Sequence, residues 1–167
     1  MQILANVAEL WVFSRTVDGA RYLVLEASQD KADAFFGRHR FWQIPGTSIH
    51  DDGEATVDLL RRGLGEYGLD ACALWAVEYV STIFNRRFDA IQLIPTFAAE
   101  VAGLPEPELQ GTIRFQDRAT FEYASFEWAD AHRVQQLLTF RALLESFAQL
   151  RRYITECPEP RGEFRLA

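Results

Sequence analysis

The stretch FWQIPGTSIHDDGEATVDLLRRGLGEYGLD, Phe41–Asp70, decides how this chain is read. It holds a short strand, a Pro45-Gly46 loop, an acidic turn and a helix. The helix is expected to open at Gly53-Glu54 and to run to about Tyr67, with Gly68 as its stop. On a helical wheel Val57, Leu60 and Leu64 share one face. Glu54, Asp58, Arg62 and Glu66 recur every four residues on another. One side is therefore buried and the other is a charged stripe. On such a helix Glu54 and Glu66 would stand roughly 18 Å apart along the axis, too far to share one ion. Glu54 is then expected to organise the loop, or to bond Arg61 or Arg62.

Working outward, ILANVAELWVFSR is β-rich and continuously apolar from Leu10 to Phe13, which suits a strand buried on both faces. TVDGA is a turn and RYLVLEAS a returning strand, so residues 3–27 read as a hairpin. QDKADAFFGRHRF is a polar connection with room for a short helix. After the helix come two longer strands, CALWAVEYVSTIFN and FDAIQLIPTFAAEV, joined through Arg86-Arg87. Pro95 lies inside the second, which argues for an edge position or a bulge. AGLPEPELQGTIRFQDRAT reads as a long loop and FEYASFEWAD as a last strand. DAHRVQQLL and FRALLESFAQLRRYI are helices, the second with Leu143, Leu144, Phe147, Leu150 and Ile154 on its apolar face. TECPEPRGEFRLA has little periodicity and is expected to be a loosely held tail. The order of strands, helix, strands and helices predicts an α/β (α+β) domain over residues 1–154, a mixed sheet with helices on both faces, and a tail over 155–167.

The 167 residues suffice for one domain with a core. A net charge of −7 repels nucleic-acid backbones, so a polyphosphate ligand would need local arginine or a bridging cation. The two cysteines, Cys72 and Cys157, have no metal-ligand spacing and read as reduced thiols of a cytoplasmic protein. His39, His50 and His132 form no zinc-type pair. The N-terminal segment lacks a basic region and carries Glu9, so it reads as a strand and not a signal peptide. No run of about 18 apolar residues is present, so no membrane span is expected.

Residues 41–70 resemble the Nudix box, G-x5-E-x7-R-E-U-x-E-E-x-G-U with U apolar. Gly53-Glu54, then Arg62 and Leu64, fit the E-x7-R-E-U register, and Glu66 falls on the first Glu of the E-E pair. IQLIPTFAAEV and FEYASFEWADAHRVQQLL look like later elements of the branch that includes nucleoside triphosphate pyrophosphohydrolases, so the likeness spans about residues 3–154. In this register Gly63 and Tyr67 stand where the box has Glu, and the loop before Glu54 is longer than the motif allows. In a frame slipped by one, Arg61 is the box Arg, Arg62 and Gly65 replace carboxylates, and Gly68-Leu69 matches the closing G-U. The first register is preferred because it buries Leu64. Both keep Glu66 and both lose two metal-binding positions.

The resemblance implies an α/β/α sandwich and a pyrophosphohydrolase acting on a nucleoside diphosphate linked to another group, with Mg²⁺ or Mn²⁺. Glu66, Glu122 and Arg62 become the candidate catalytic residues. Glu66 and Glu54 become the candidate metal ligands. Arg38, Arg40, Trp42, Arg86 and Arg87 become the candidate substrate contacts. Such chemistry needs charge neutralisation and a positioned water. Mg²⁺ takes one or two carboxylates plus substrate phosphates, so Glu66 with the substrate would be its minimal set. The expected partner is a nucleotide-type small molecule. The alternative is an inactive Nudix-fold module that binds a nucleotide or a protein. A third reading is a homodimer through the aromatic strands.

Overall fold

The computed structural model describes residues 2–36, 39–50, 53–85, 89–109, 112–115, 118–160 and 162–167. The apolar run at Leu10–Phe13 is the middle of β2 (Val7–Thr16), which turns and returns as β3 (Gly19–Ala27); the expected hairpin is found, but residues 2–4 are a separate strand and not part of it. Strand alternation sends Trp11, Phe13, Tyr22 and Val24 into one core and Leu10, Val12, Leu23 and Leu25 into another. That is why the run has no polar face.

On its other side β2 pairs in parallel with β7 (Ala90–Val101). β1 (Gln2–Leu4) continues that side of β7, also in parallel, and β6 (Ala71–Asn85) runs antiparallel along the opposite side. β10 (Tyr123–Ala129) pairs antiparallel with β3. Short strands β4 (Trp42–Gln43) and β5 (Gly46–Ser48) add to β3 and β2, completing an eight-stranded mixed sheet. One face is covered by α3 (Ala131–Leu137), α4 (Arg141–Leu150) and a π-helical turn, Arg151–Thr155. Their Val134, Leu143, Phe147, Leu150 and Ile154 pack on Trp11 and Tyr22. The other face carries α2 (Thr56–Gly65), whose Leu60 and Leu64 meet Leu10 and Leu23. The α/β/α sandwich is the architecture expected.

Four local expectations change. Helix α2 begins at Thr56, not at Glu54: Gly53 has φ 76° and Ala55 is extended, so Glu54 precedes the helix. β7 is internal, not an edge. Pro95 falls between the end of β1 at Gln92 and the start of β2 at Thr96, where no neighbour asks for its missing N–H, and beside a register shift in β6. The loop expected after Val101 contains a separate two-stranded ladder, β8 (Thr112–Phe115) with β9 (Arg118–Phe121). The tail is tied down: Leu166 N–H donates to the Leu74 carbonyl at 2.7 Å, and Leu74 N–H to the Ala167 backbone oxygen at 2.9 Å. Among the described residues no helix is long and apolar enough to cross a membrane.

Candidate functional site

β2 and β3 are paired only as far as Phe13 and Tyr22, and beyond that point they part. The segment 41–48 wedges into the gap. Leu10 N–H donates to the Pro45 carbonyl at 2.8 Å and Ala27 N–H to the Phe41 carbonyl at 2.9 Å, so the Pro45-Gly46 loop is held by strands on both sides. A cavity of about 350 Å³ opens beside this wedge. Glu66 and Glu122 both line it, from the end of α2 and from the residue before β10.

Helix α2 ends as its sequence foretold. Gly68 takes φ 66°, Leu69 N–H donates to the Leu64 carbonyl at 3.1 Å and Gly68 N–H to the Gly65 carbonyl at 3.0 Å. This left-handed stop buries Leu64 and Leu69 together and leaves Glu66 at the rim, with half its side chain exposed. Arg62 holds the loop in place. Its Nε and Nη2 donate to the two oxygens of Glu54 at 3.0 and 2.9 Å, and Nη2 also donates to the Ser48 carbonyl at 2.8 Å. Its Nη1 reaches Glu66 at 3.3 Å. The 18 Å separation expected for Glu54 and Glu66 is therefore not found: both carboxylates close on one guanidinium because Glu54 lies in the loop. The Glu54–Arg62 pair has the E-x7-R spacing, and Leu64 is buried, as the first register requires.

The two box positions without Glu have structural work. A Cβ on Gly63 would lie 2.5 Å from the Thr47 Cβ, so α2 packs against β5 at a distance only glycine permits. Tyr67 is buried; its hydroxyl accepts the Gly46 N–H at 3.3 Å and lies 3.2 Å from the Gly46 carbonyl and 3.1 Å from the Tyr123 hydroxyl. Burial pushes the Tyr67 phenol up to about 12 and Tyr123 well above its ordinary value, so both are neutral donors.

Two lining residues escaped the sequence reading. Lys31 lies in the first turn of α1 (Gln29–Phe36), which Ser28 caps by accepting the Lys31 N–H at 3.1 Å. Ser28 N–H in turn donates to the Glu122 carbonyl at 3.0 Å. The helix start is thus fastened to Glu122, and Lys31 Nζ meets the Glu122 carboxylate and lies 4.9 Å from the Tyr123 ring centroid. Burial pushes the Lys31 ammonium below its usual value, opposed by the Glu122 charge and hydrogen bond. The signal was available: Lys31 is the single lysine beside sixteen arginines. The second is Glu9 of β2, whose burial raises its carboxyl to about 7. A lone carboxylate in a strand read as buried on both faces was its signal.

The other candidates lie elsewhere. Arg40 faces Glu26 at 3.7 Å, and Trp42 packs on the α4-side core; neither lines the cavity. Arg38, Arg86 and Arg87 lie outside the described residues. Among the described residues no three His, Cys, Asp or Glu side chains are grouped as a metal cage.

A mixed sheet between helices in this strand order is the Nudix fold, and this chain has it. The NUDIX domain of Shewanella oneidensis NrtR complexed with ADP ribose aligns with a TM-score of 0.64 over 93% of this chain and 89% of that one, at 14% identity. A C. elegans Ap4A hydrolase aligns with a TM-score of 0.63 over 92% of this chain and 100% of that one, at 13% identity. The M. smegmatis Nudix hydrolase RenU aligns with 0.61 over 96% and 92%, at 16% identity. No family model and no curated protein matches the sequence.

Proposed function

We propose that the chain binds a nucleoside diphosphate linked to a second group and hydrolyses its phosphoanhydride in the cavity beside the Pro45-Gly46 loop. One observation carries the reading: Glu66 and Glu122, far apart in sequence, line one cavity together with the buried Lys31. A buried ion pair such as Lys31–Glu122 is weak evidence for stability, and at the wall of a cavity it supports a ligand-binding role. Neighbours of the same fold include an Ap4A hydrolase and a domain complexed with ADP ribose. Both names denote molecules in which phosphoanhydrides join two groups.

Lys31 is placed to neutralise a phosphate oxygen. Glu122 accepts the proton of a water whose oxygen attacks phosphorus. The bridging P–O bond breaks, and the products are two phosphate monoesters. Glu54 fits no metal role, because both its oxygens are held by Arg62. Glu66 fits Mg²⁺ or Mn²⁺ only as an ion carried on the substrate phosphates; such an ion would offset charge on the leaving oxygen. Turnover is expected to need added metal and to fall by roughly 100-fold in Glu66→Gln. A panel of nucleoside triphosphates, dinucleoside polyphosphates, NADH and nucleotide sugars, assayed with and without Mn²⁺, tests this. Unchanged turnover in the variant removes Glu66 from the mechanism.

A second reading, a nucleotide-binding module without catalysis, is favoured by Gly63 and Tyr67, whose places in the box are committed to packing on Thr47 and Gly46. It expects affinity to survive EDTA. Strict metal dependence of binding argues against it.

A further inference from the structure

The longest strand of the sheet ends in an open edge. β6 pairs with β7 along one side, and among the described residues its other side is paired only at Leu74 and Trp75, by the chain's own last residues. That contact shows that the edge accepts an antiparallel partner. Next comes a bulge: Val77 and Glu78 have no opposite residue on β7, and Glu78 takes φ 52°. Beyond the bulge the strand continues as YVSTIFN, Tyr79–Asn85, with each residue opposite one residue of β7. Charged residues make up 25% of this chain, yet this stretch carries none. Sheets guard long edges with lysine, proline or bulges; the stretch itself has none of these and is rich in β-branched and aromatic residues. Strand alternation puts Val80, Thr82 and Phe84 on the α2 side of the sheet, opposite Pro95, Leu93 and Ile91. Ile3 of β1 extends the row beyond Ile91. Val80, Phe84 and Ile3 are 54, 60 and 60% exposed, and neither core includes them.

We propose that this edge is the interface of a homodimer, in which the Tyr79–Asn85 segments of two copies pair antiparallel about a two-fold axis at Thr82. A net charge of −7 opposes the approach of two copies, and along the uncharged segment their edges meet with no like charges facing. Thr82 is the midpoint of the segment, so this register uses the whole of it in both strands. It sets Val80 of one copy opposite Phe84 of the other, twice, and Thr82 opposite Thr82. Aromatic with β-branched side chains, and Thr with Thr, are stabilising cross-strand pairs. Moving the axis by one residue in either direction breaks both Val80–Phe84 pairs. With the axis perpendicular to the sheet, the row Ile3, Ile91, Phe84 continues on the same face into the partner's Val80. The segment is thus complementary to itself, as a two-fold interface requires. The cavity takes no residue from β6, so the inference stands apart from the proposed hydrolysis.

Sedimentation equilibrium of the full chain over a wide range of concentration tests this. Wild type should reach a mass twice the 19.1 kDa of the chain. Thr82→Lys sets two ammonium groups against each other at the axis and should sediment as a single chain with an unchanged circular dichroism spectrum. Directly opposed residues of antiparallel strands have Cα atoms about 4.5–5.5 Å apart, within disulfide reach. Thr82→Cys, in a Cys72→Ser/Cys157→Ser background, should therefore oxidise to a covalent dimer. Val17→Cys in the same background, at the exposed turn between β2 and β3, should not. The cysteine pair decides the matter if Thr82→Lys does not fold. Three results overturn the inference: a wild type that stays a single chain throughout, a folded Thr82→Lys that remains dimeric, or Thr82→Cys chains that crosslink no more than Val17→Cys.

Discussion

Two interiors of this molecule differ in how they treat charge. Against α4 the deep polar groups are neutral or capped, although Trp75 Nε1 has no partner among the described residues. Trp11 Nε1 donates to Ser146 Oγ at 3.0 Å, the Tyr22 and Thr155 hydroxyls meet at 2.7 Å, and Arg15 caps the carbonyls of Ile154 and Thr155 at 3.0 and 3.2 Å. Beside the Pro45-Gly46 loop an ammonium from α1 is buried against a carboxylate, and two phenols are held neutral. The first region is arranged for stability; on the proposed function the second is arranged for a ligand.

The largest effect is expected at Phe147, whose ring lies 4.8 Å from those of both Trp11 and Tyr22. Phe147→Ala should lower stability by about 3–5 kcal/mol in denaturant titration while the remaining folded protein keeps its nucleotide affinity. Loss of affinity in the folded fraction would erase the division between the two regions. The next effect is at Glu9. Its folded value near 7 lies above its ordinary 4.5, so the folded state keeps a proton that the unfolded chain has lost between these values. The stabilisation is complete below pH 4.5 and is lost as pH rises through about 7, on the order of 3 kcal/mol in all. Glu9→Gln should flatten that part of the pH–stability curve and raise Tm at pH 8. A curve unchanged by the substitution would place Glu9 in water. Smaller still is Gly63→Ala, expected to destabilise by about 1–3 kcal/mol through its clash with Thr47. A neutral result would show that α2 can move off β5 and admit a carboxylate there.

The α4 side was the more legible of the two. Its apolar face at Leu143, Phe147, Leu150 and Ile154 follows helical spacing, and the alternation in β2 and β3 follows the strand period. These patterns are local, so a sequence displays them. At the cavity, Glu66 and Glu122 were singled out through the box and its neighbours, but the pairing of Glu122 with Lys31 was not legible. It depends on a Ser28 cap fastened to a carbonyl 94 positions later, which leaves no periodic trace. Glu54 was placed on a helix because its spacing to Asp58 and Arg62 is helical. The positive φ of Gly53 and the extended Ala55 delay the helix, and the same spacing serves an ion pair instead. Pro95 pointed to an edge or a bulge: the edge is not found, because a gap between two partner strands reads like one, while the register shift in β6 lies beside it. The tail misled because its attachment to Leu74 is made by backbone groups, which any sequence supplies.

On the proposed function, the buried ammonium of Lys31 is there for a phosphate. The most direct measurement is the Kd of inorganic pyrophosphate by calorimetry, for wild type and Lys31→Met, with circular dichroism confirming that both are folded. Without the ammonium, the charge-assisted hydrogen bond to a phosphate oxygen cannot form, and binding should weaken by roughly ten- to hundredfold. Equal affinity in a folded Lys31→Met protein would contradict the account and return the Lys31–Glu122 pair to the architecture.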